Sequence, residues 1–61
     1  ILTELKIGNV VEAKFVFDDF VPKAEIKNIT EHIIELSIKD NKTRTLSEPI
    51  SNIIYIKKLQ T

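Results

Sequence analysis

Apolar and polar side chains alternate along several stretches of this chain, and this alternation constrains the fold more than any other feature. Every second residue from position 11 to position 17 is apolar, namely Val11, Ala13, Phe15 and Phe17. A period of two predicts a β-strand with one face on a core. The branched residues Ile, Val and Thr, which favour strands, account for 20 of the 61 residues. The sequence therefore predicts an all-β fold.

The length of the chain leaves room for one domain. With 61 residues it can bury only one small hydrophobic core. It has no Cys, so a disulfide framework and a thiolate metal site are excluded, and the core must hold the fold unaided. We expect residues 1–61 to form a single domain. Because the chain begins at Ile1 and not at Met, we also expect it to belong to a longer protein.

The sequence has no apolar run long enough to span a bilayer and no pattern typical of a signal peptide. The absence of cysteine favours a reducing compartment. We therefore expect a cytoplasmic protein that does not associate with a membrane.

Residues 23–37 allow two interpretations. The alternation around Ala24 and Ile26 predicts a second strand, and the alternation over residues 32–39 predicts a third. The apolar residues at positions 26, 29, 33 and 36, however, are also spaced like one face of a helix. We favour two strands because the segment is rich in mediocre helix formers and because the strict alternation continues to residue 39.

The remaining sequence predicts turns and two more strands. Ile29 breaks the alternation of the second strand, which predicts a bulge near Asn28. Residues 43–46 and 53–56 predict short fourth and fifth strands. Ser47, as an N-cap ahead of Pro49, predicts one helical turn over residues 48–52. Because closure covers the exposed edges of a small sheet, we expect a five-stranded, strongly bent antiparallel barrel.

The order of these features resembles that of a Tudor-type, SH3-like barrel over roughly residues 7–56. The matching elements are Gly8, the alternating strand at 11–15, the acidic turn Asp18-Asp19 followed by Phe20, the turn Asp40-Asn41, and the helical turn after Pro49. The DNA-binding C-terminal domains of retroviral-type integrases are a similar barrel, with a comparable strand–Asp-Asn–strand hairpin. The resemblance implies an SH3-like barrel that serves as an interaction module.

The aromatic positions depart from the Tudor pattern. Readers of methylated lysine and arginine surround the cation with several aromatic rings. Phe20 matches one of these positions and Phe17 is near, whereas Val21 and Asn41 occupy two others. We therefore do not expect a methylated ligand.

The few aromatic residues and the acidic turn predict a surface that contacts a protein partner. Phe15 is expected in the core, while Phe17, Phe20 and Tyr55 are candidates for contact. Phe20, next to two aspartates, is expected to leave an apolar spot for a partner peptide or a neighbouring domain. The predicted partner-binding residues are Phe17, Asp18, Asp19, Phe20, Asp40 and Asn41.

The basic residues predict an alternative function. The net charge of zero divides into −3 over residues 1–37 and +3 from residue 38 onward. Were the third-to-fourth-strand hairpin to lie beside a solvent-exposed C-terminal tail, the two would form a patch for phosphates. The residues of this predicted nucleic-acid patch are Lys39, Lys42, Arg44, Lys57 and Lys58. Overall neutrality favours the interpretation that these residues form only a solvated turn and a soluble tail. A purely structural or dimerising domain is a third alternative.

No catalytic, metal or cofactor site is predicted. His32 is the only imidazole, and no constellation for nucleophilic catalysis surrounds it in the sequence. Asp18, Asp19 and Asp40 lie at predicted turns, where aspartate is favoured because it bonds nearby backbone N–H groups. The spacing of a calcium loop and a glycine-rich phosphate loop are both absent. We expect a protein that is not an enzyme.

Overall fold

The five strands form one antiparallel sheet in a computed structural model that describes residues 4–39 and 42–59. The strands are β1 (Val10–Phe15), β2 (Val21–Ile29), β3 (Ile33–Lys39), β4 (Thr43–Pro49) and β5 (Ile53–Lys58). A 3-10 turn, Ile50–Asn52, joins β4 to β5. The strand order is β4-β3-β2-β1-β5, which puts β4 and β5 at the two edges.

The prediction of an all-β fold with five antiparallel strands is confirmed. Residues 23–37 lie in β2, β3 and the turn between them, and not in a helix. The predicted barrel is not shown, because strand pairing over the described residues leaves the sheet open.

One face of the sheet carries the core. Alternate residues of β1, β2 and β3 are buried there, as the period of two predicts. They are Val11, Ala13, Phe15, Val21, Ala24, Ile26, Ile34, Leu36 and Ile38. The edge strands add the half-buried Leu46, Ile53 and Ile56, which pack against this core. Phe15 heads the fully buried side chains by volume, so its ring is the largest apolar group that the sheet encloses.

Strand β1 ends at Phe15, two residues earlier than the alternation predicts. The N–H of Val16 donates a 2.9 Å hydrogen bond to the carbonyl of Asn52, and the chain then turns. The predicted extent of β1 was wrong, because the apolar alternation of the sequence continues past the end of the strand. Phe17 is 83 % exposed, and its role as a contact aromatic stays a prediction.

Strand β4 is longer than predicted. Its pairing with β3 continues as far as Pro49, which lies opposite Ile33. Ser47 is therefore part of the ladder and does not cap the following turn, which begins at Ile50 with Pro49 in the N-cap position. The predicted helical turn is present, but it is shorter and its predicted cap is wrong.

Strand β5 is also longer than predicted. Lys57 lies opposite Glu12 and Lys58 lies opposite Val11, so both lysines belong to the β1–β5 ladder. The expectation that they extend into solvent as a tail is wrong. Leu59 continues the attachment, because its N–H donates a 2.7 Å hydrogen bond to the carbonyl of Val10.

The predicted irregularity near Asn28 is confirmed. The register between β2 and β3 shifts between Ile26 and Asn28, which lets Ile26 stay buried while Ile29 becomes only half-buried. At the opposite end of the ladder, toward the start of β2 and the end of β3, the last pair is Glu25 with Ser37. This end of the β2–β3 ladder defines where the candidate site lies.

Candidate functional site

A groove of about 390 Å³ lies between the β1–β2 turn and the β3–β4 hairpin. It begins beyond the Glu25–Ser37 pair, where the start of β2 and the end of β3 form its walls. Its lining consists of Asp18, Asp19, Phe20, Val21, Pro22, Lys23, Ile38, Lys39, Arg44 and Leu46. The groove has the volume of a small ligand or of a few peptide side chains.

The β1–β2 turn is held by a lysine from the strand that precedes it. The Lys14 ammonium donates hydrogen bonds of 3.1 Å to the carbonyl of Phe15 and 2.6 Å to that of Asp18. The ammonium supplies a donor to the Asp18 carbonyl, which lies outside the strands, and a second donor to the Phe15 carbonyl, which also accepts a 3.5 Å hydrogen bond from the N–H of Asp18. The turn thereby holds Asp18 and the residues after it at one side of the groove.

The groove carries opposite charges on its two sides. Asp18 and Asp19 come from the turn, while Lys39 and Arg44 come from the hairpin. The ring of Phe20 lines the same groove and is 49 % exposed, which adds an apolar surface beside these charges. Such a surface suits a peptide segment that carries both charged and apolar side chains.

The structure brings together part of the predicted partner-binding set. Asp18, Asp19 and Phe20 line one groove, whereas Phe17 is exposed and does not line it. Asp40 and Asn41 lie outside the described residues. Lys39 and Arg44, predicted for nucleic acid, line the same groove, so the two predicted sets meet here.

The predicted nucleic-acid patch is divided by the sheet. Lys39, Lys42 and Arg44 belong to the β3–β4 hairpin, and Lys57 and Lys58 belong to β5. Strands β2 and β1 lie between them in the sheet. The tail and the hairpin therefore do not meet along the sheet as the sequence interpretation required.

Sequence reasoning missed Lys23 and Pro22 as groove residues. Both come from the exposed start of β2, directly after the acidic turn. The only sequence signal at Lys23 is its polar position in the strand alternation, which does not show which cavity a side chain borders. Its role in the groove depends on where the β2–β3 ladder ends.

A pair of carboxyl groups lies where the β1–β2 turn meets the end of β4. A side-chain hydrogen bond with Asp18 is the main cause that raises the pKa of Glu48 above its ordinary value of 4.5. Partial desolvation and the negative charge of Asp18 act in the same direction. The Asn52 amide donates a 3.4 Å hydrogen bond to Glu48, which opposes the shift. These contacts connect the turn to the 3-10 segment.

The single histidine lies away from the groove, in the β2–β3 turn. Its Nε2 is 3.6 Å from a Glu31 carboxylate oxygen, and both side chains are exposed. The Thr30 hydroxyl orders this turn by accepting hydrogen bonds of 3.1 Å from the N–H groups of His32 and Ile33. Across residues 4–39 and 42–59, no three acidic or histidine side chains group as a metal site would require.

Comparisons with protein-family models, with curated proteins and with solved structures find no match to the chain. In the part of the chain that the structure describes, no helix has the length and apolar character needed to cross a membrane. The function must therefore be inferred from the geometry of the site.

Proposed function

We propose that this domain is a non-catalytic interaction module that binds a segment of a protein partner in the groove beside Phe20. The observation that carries the proposal is a half-exposed aromatic ring in a groove of about 390 Å³ that an acidic turn and a basic hairpin also line. Aromatic side chains at the centre of a polar rim are typical of residues that contribute most to binding.

The mixed charge of the groove supports a peptide more than a polyanion. The acidic side, Asp18 and Asp19, repels phosphates, whereas a protein segment can place a basic residue there and an acidic one near Lys39. Overall neutrality of the chain agrees with this choice.

An SH3-like barrel is the fold that we propose behind this function. The observed strand order and the 3-10 turn before β5 agree with the order of elements in the resemblance described above. Edge strands β4 and β5 would have to meet for the sheet to close. The proposed partner site between the β1–β2 turn and the β3–β4 hairpin does not depend on that closure.

Selection from a random peptide library tests the proposal. The chain is immobilised, enriched peptides are synthesised, and their dissociation constants are measured by isothermal titration calorimetry. We expect Phe20→Ala to weaken binding at least about tenfold, the effect of losing roughly 1.4 kcal/mol at a central contact. Phe17→Ala is the matched control, because this ring is exposed but outside the groove.

Two results would contradict the proposal. One is a selection that yields no specific peptide, and the other is a set of peptides whose affinity is unchanged by Phe20→Ala. Asp19→Lys provides a second variant at an exposed position of the same groove, and it should weaken peptides that carry a basic residue.

Nucleic-acid binding is the second candidate, since Lys39 and Arg44 line the groove together with an exposed aromatic ring. It predicts binding of labelled single-stranded DNA or RNA that weakens steeply with salt and is lost in Lys42→Glu plus Arg44→Glu. No binding at low salt would exclude it.

A structural or dimerising domain instead predicts a concentration-dependent dimer in light scattering. The cytoplasmic location, favoured by the lack of cysteine, stays a prediction.

A further inference from the structure

A second cavity, of about 300 Å³, adjoins the groove. It is lined by Val10, Lys23, Ala24, Glu25, Ser37 and Lys39. Three of these residues form one row across β1, β2 and β3, because Val10 pairs with Glu25 and Glu25 pairs with Ser37. Lys23 and Lys39 border both this cavity and the groove at Phe20.

Ser37 is the buried polar residue of the described chain, with 5 % of its surface exposed. The Ser37 hydroxyl forms no hydrogen bond with any residue in the ranges 4–39 and 42–59. Every buried side-chain polar atom in those ranges has either a hydrogen-bond partner or contact with solvent. The hydroxyl is therefore accessible to solvent through the cavity that Ser37 lines. A largely buried hydroxyl that forms no hydrogen bond within the protein is available as a donor to an acceptor bound in the cavity.

Lys23 and Lys39 bring two positive charges to the same cavity. Each lies two residues beyond the last β2–β3 pair, and neither forms an ion pair with any described residue. Like charges near each other on adjacent strands are unfavourable, and a bound anion removes that repulsion. Glu25 also borders the cavity, but its carboxylate pairs at 3.5 Å with Lys27.

We propose that this cavity binds one phosphomonoester group carried by the protein partner. The ammonium groups of Lys23 and Lys39 neutralise the phosphate, and the Ser37 hydroxyl donates a hydrogen bond to one of its oxygens. This inference rests on the proposed function, since the partner segment that lies in the groove carries the phosphate into the adjoining cavity, which Lys23 and Lys39 also border. No covalent step is involved.

A single phosphate suits the site better than a nucleic-acid backbone. Three donors around a compact cavity match the three acceptor oxygens of a phosphomonoester. An extended polyanion would meet Asp18 and Asp19 in the adjoining groove. These carboxylates limit the favourable region to the size of one dianion.

Binding is tested by NMR titration of the chain with N-acetyl-O-phosphoserine amide at constant ionic strength. We expect saturable shifts of the backbone amides of Ser37 and Lys39, and weaker shifts of the same amides with inorganic phosphate. Ser37→Ala and Lys23→Gln should each weaken the affinity about fivefold or more, since each removes one contact to an ionised group. Lys58→Gln, on the edge strand β5 and outside both cavities, is the matched control.

The outcomes separate this inference from the proposed function. Non-saturable shifts, or equal weakening by Lys58→Gln and Lys23→Gln, overturn the phosphate site. Preferential binding of a thymidine oligonucleotide, with steep salt dependence, overturns it in favour of nucleic acid. Phe20→Ala should weaken binding of selected peptides at least about tenfold and leave phosphoserine amide binding intact. Phosphoserine binding without any selected peptide therefore contradicts only the groove, while peptide binding that phosphorylation does not strengthen contradicts only the phosphate site.

Discussion

The Tyr55 hydroxyl donates a 2.7 Å hydrogen bond to the Glu12 carboxylate and thereby joins the edge strand β5 to β1. Tyr55 lies opposite Lys14, and Glu12 lies opposite Lys57, so the bond runs diagonally across the ladder. This hydrogen bond is the main cause that raises the pKa of Tyr55 above its ordinary value of 10.0, and desolvation and the charge of Glu12 add to it.

The first prediction concerns the titration of Tyr55. Glu12→Gln should lower the pKa of Tyr55 toward its ordinary value, because the carboxylate that favours the protonated phenol is gone. Ultraviolet absorbance reports this pKa directly, since the chain has one tyrosine and no tryptophan. An unchanged Tyr55 pKa in Glu12→Gln would contradict the structural relationship.

The same bond predicts a pH dependence of stability. The folded-state pKa of Tyr55 is raised, so the stabilisation is complete below pH 10.0 and is lost as the pH rises through the raised pKa. Tyr55→Phe should lower the melting temperature at neutral pH and lose less stability than the wild type under alkaline conditions. Thermal unfolding followed by circular dichroism on both sides of that pH measures the difference.

The second prediction compares two phenylalanines that occupy equivalent places in the sequence alternation. Phe15 is fully buried, so Phe15→Ala should cost about 3–5 kcal/mol, comparable to the whole stability of so small a domain. Urea unfolding followed by circular dichroism should show a chain that is largely unfolded. Phe17→Ala should change the unfolding free energy by less than about 0.5 kcal/mol, because its ring is exposed. Equal costs for the two variants would contradict the observed end of β1.

This pair also shows which part of the fold could be predicted from the sequence. Alternation predicts the faces of β1, β2 and β3 because one side of each strand must be buried. It does not predict where β1 ends, because the chain turns where Val16 bonds to Asn52, a residue distant in sequence. Local periodicity contains no information about that partner, so the strand was predicted to run on to Phe17.

The candidate site could be predicted only in part for the same reason. The acidic turn and Phe20 are recognisable as a local cluster, and they do line the groove. The importance of Lys23 and the separation of Lys57 from the hairpin depend on strand order and on the end of the β2–β3 ladder. Those are long-range pairings that a charge count along the chain does not specify.

The third prediction concerns the carboxyl pair of Asp18 and Glu48. The raised folded-state pKa of Glu48 means that its stabilising contribution is present below pH 4.5 and is lost as the pH rises through the raised value. Glu48→Gln removes the repulsion at neutral pH and retains an acceptor for the Asn52 amide. It should raise stability at pH 7 by up to about 0.5 kcal/mol, a small gain because exposed charges are screened.

Urea unfolding at pH 4.5 and at pH 7 measures this effect. The wild type should lose stability relative to Glu48→Gln as the pH rises between these values. Glu4→Gln, at an exposed position, is the control for a change in net charge alone. A pH dependence that is the same in Glu48→Gln and in the wild type would contradict the hydrogen bond between the two carboxyl groups.

The last prediction concerns Gly8, the only glycine of the chain, at the turn that leads into β1. Its φ of +95° lies in a region that side chains with a Cβ rarely adopt, although nothing within 4 Å would touch a Cβ there. Its N–H also donates a 2.8 Å hydrogen bond to the carbonyl of Ile26, which fixes the turn against β2. The cost of a substitution should therefore arise from the backbone conformation and not from a clash.

Gly8→Ala should lower the unfolding free energy by about 1–2 kcal/mol, and Gly8→Asn should lower it less, because asparagine tolerates positive φ better than alanine does. Urea unfolding of the two variants measures the difference at a single site, where the Cβ of either variant lies in open space. The dependence on urea concentration should have the same slope in both, since the surface exposed on unfolding does not change. An alanine variant as stable as the wild type, or an asparagine variant less stable than the alanine one, would show that the positive φ of Gly8 does not constrain the turn.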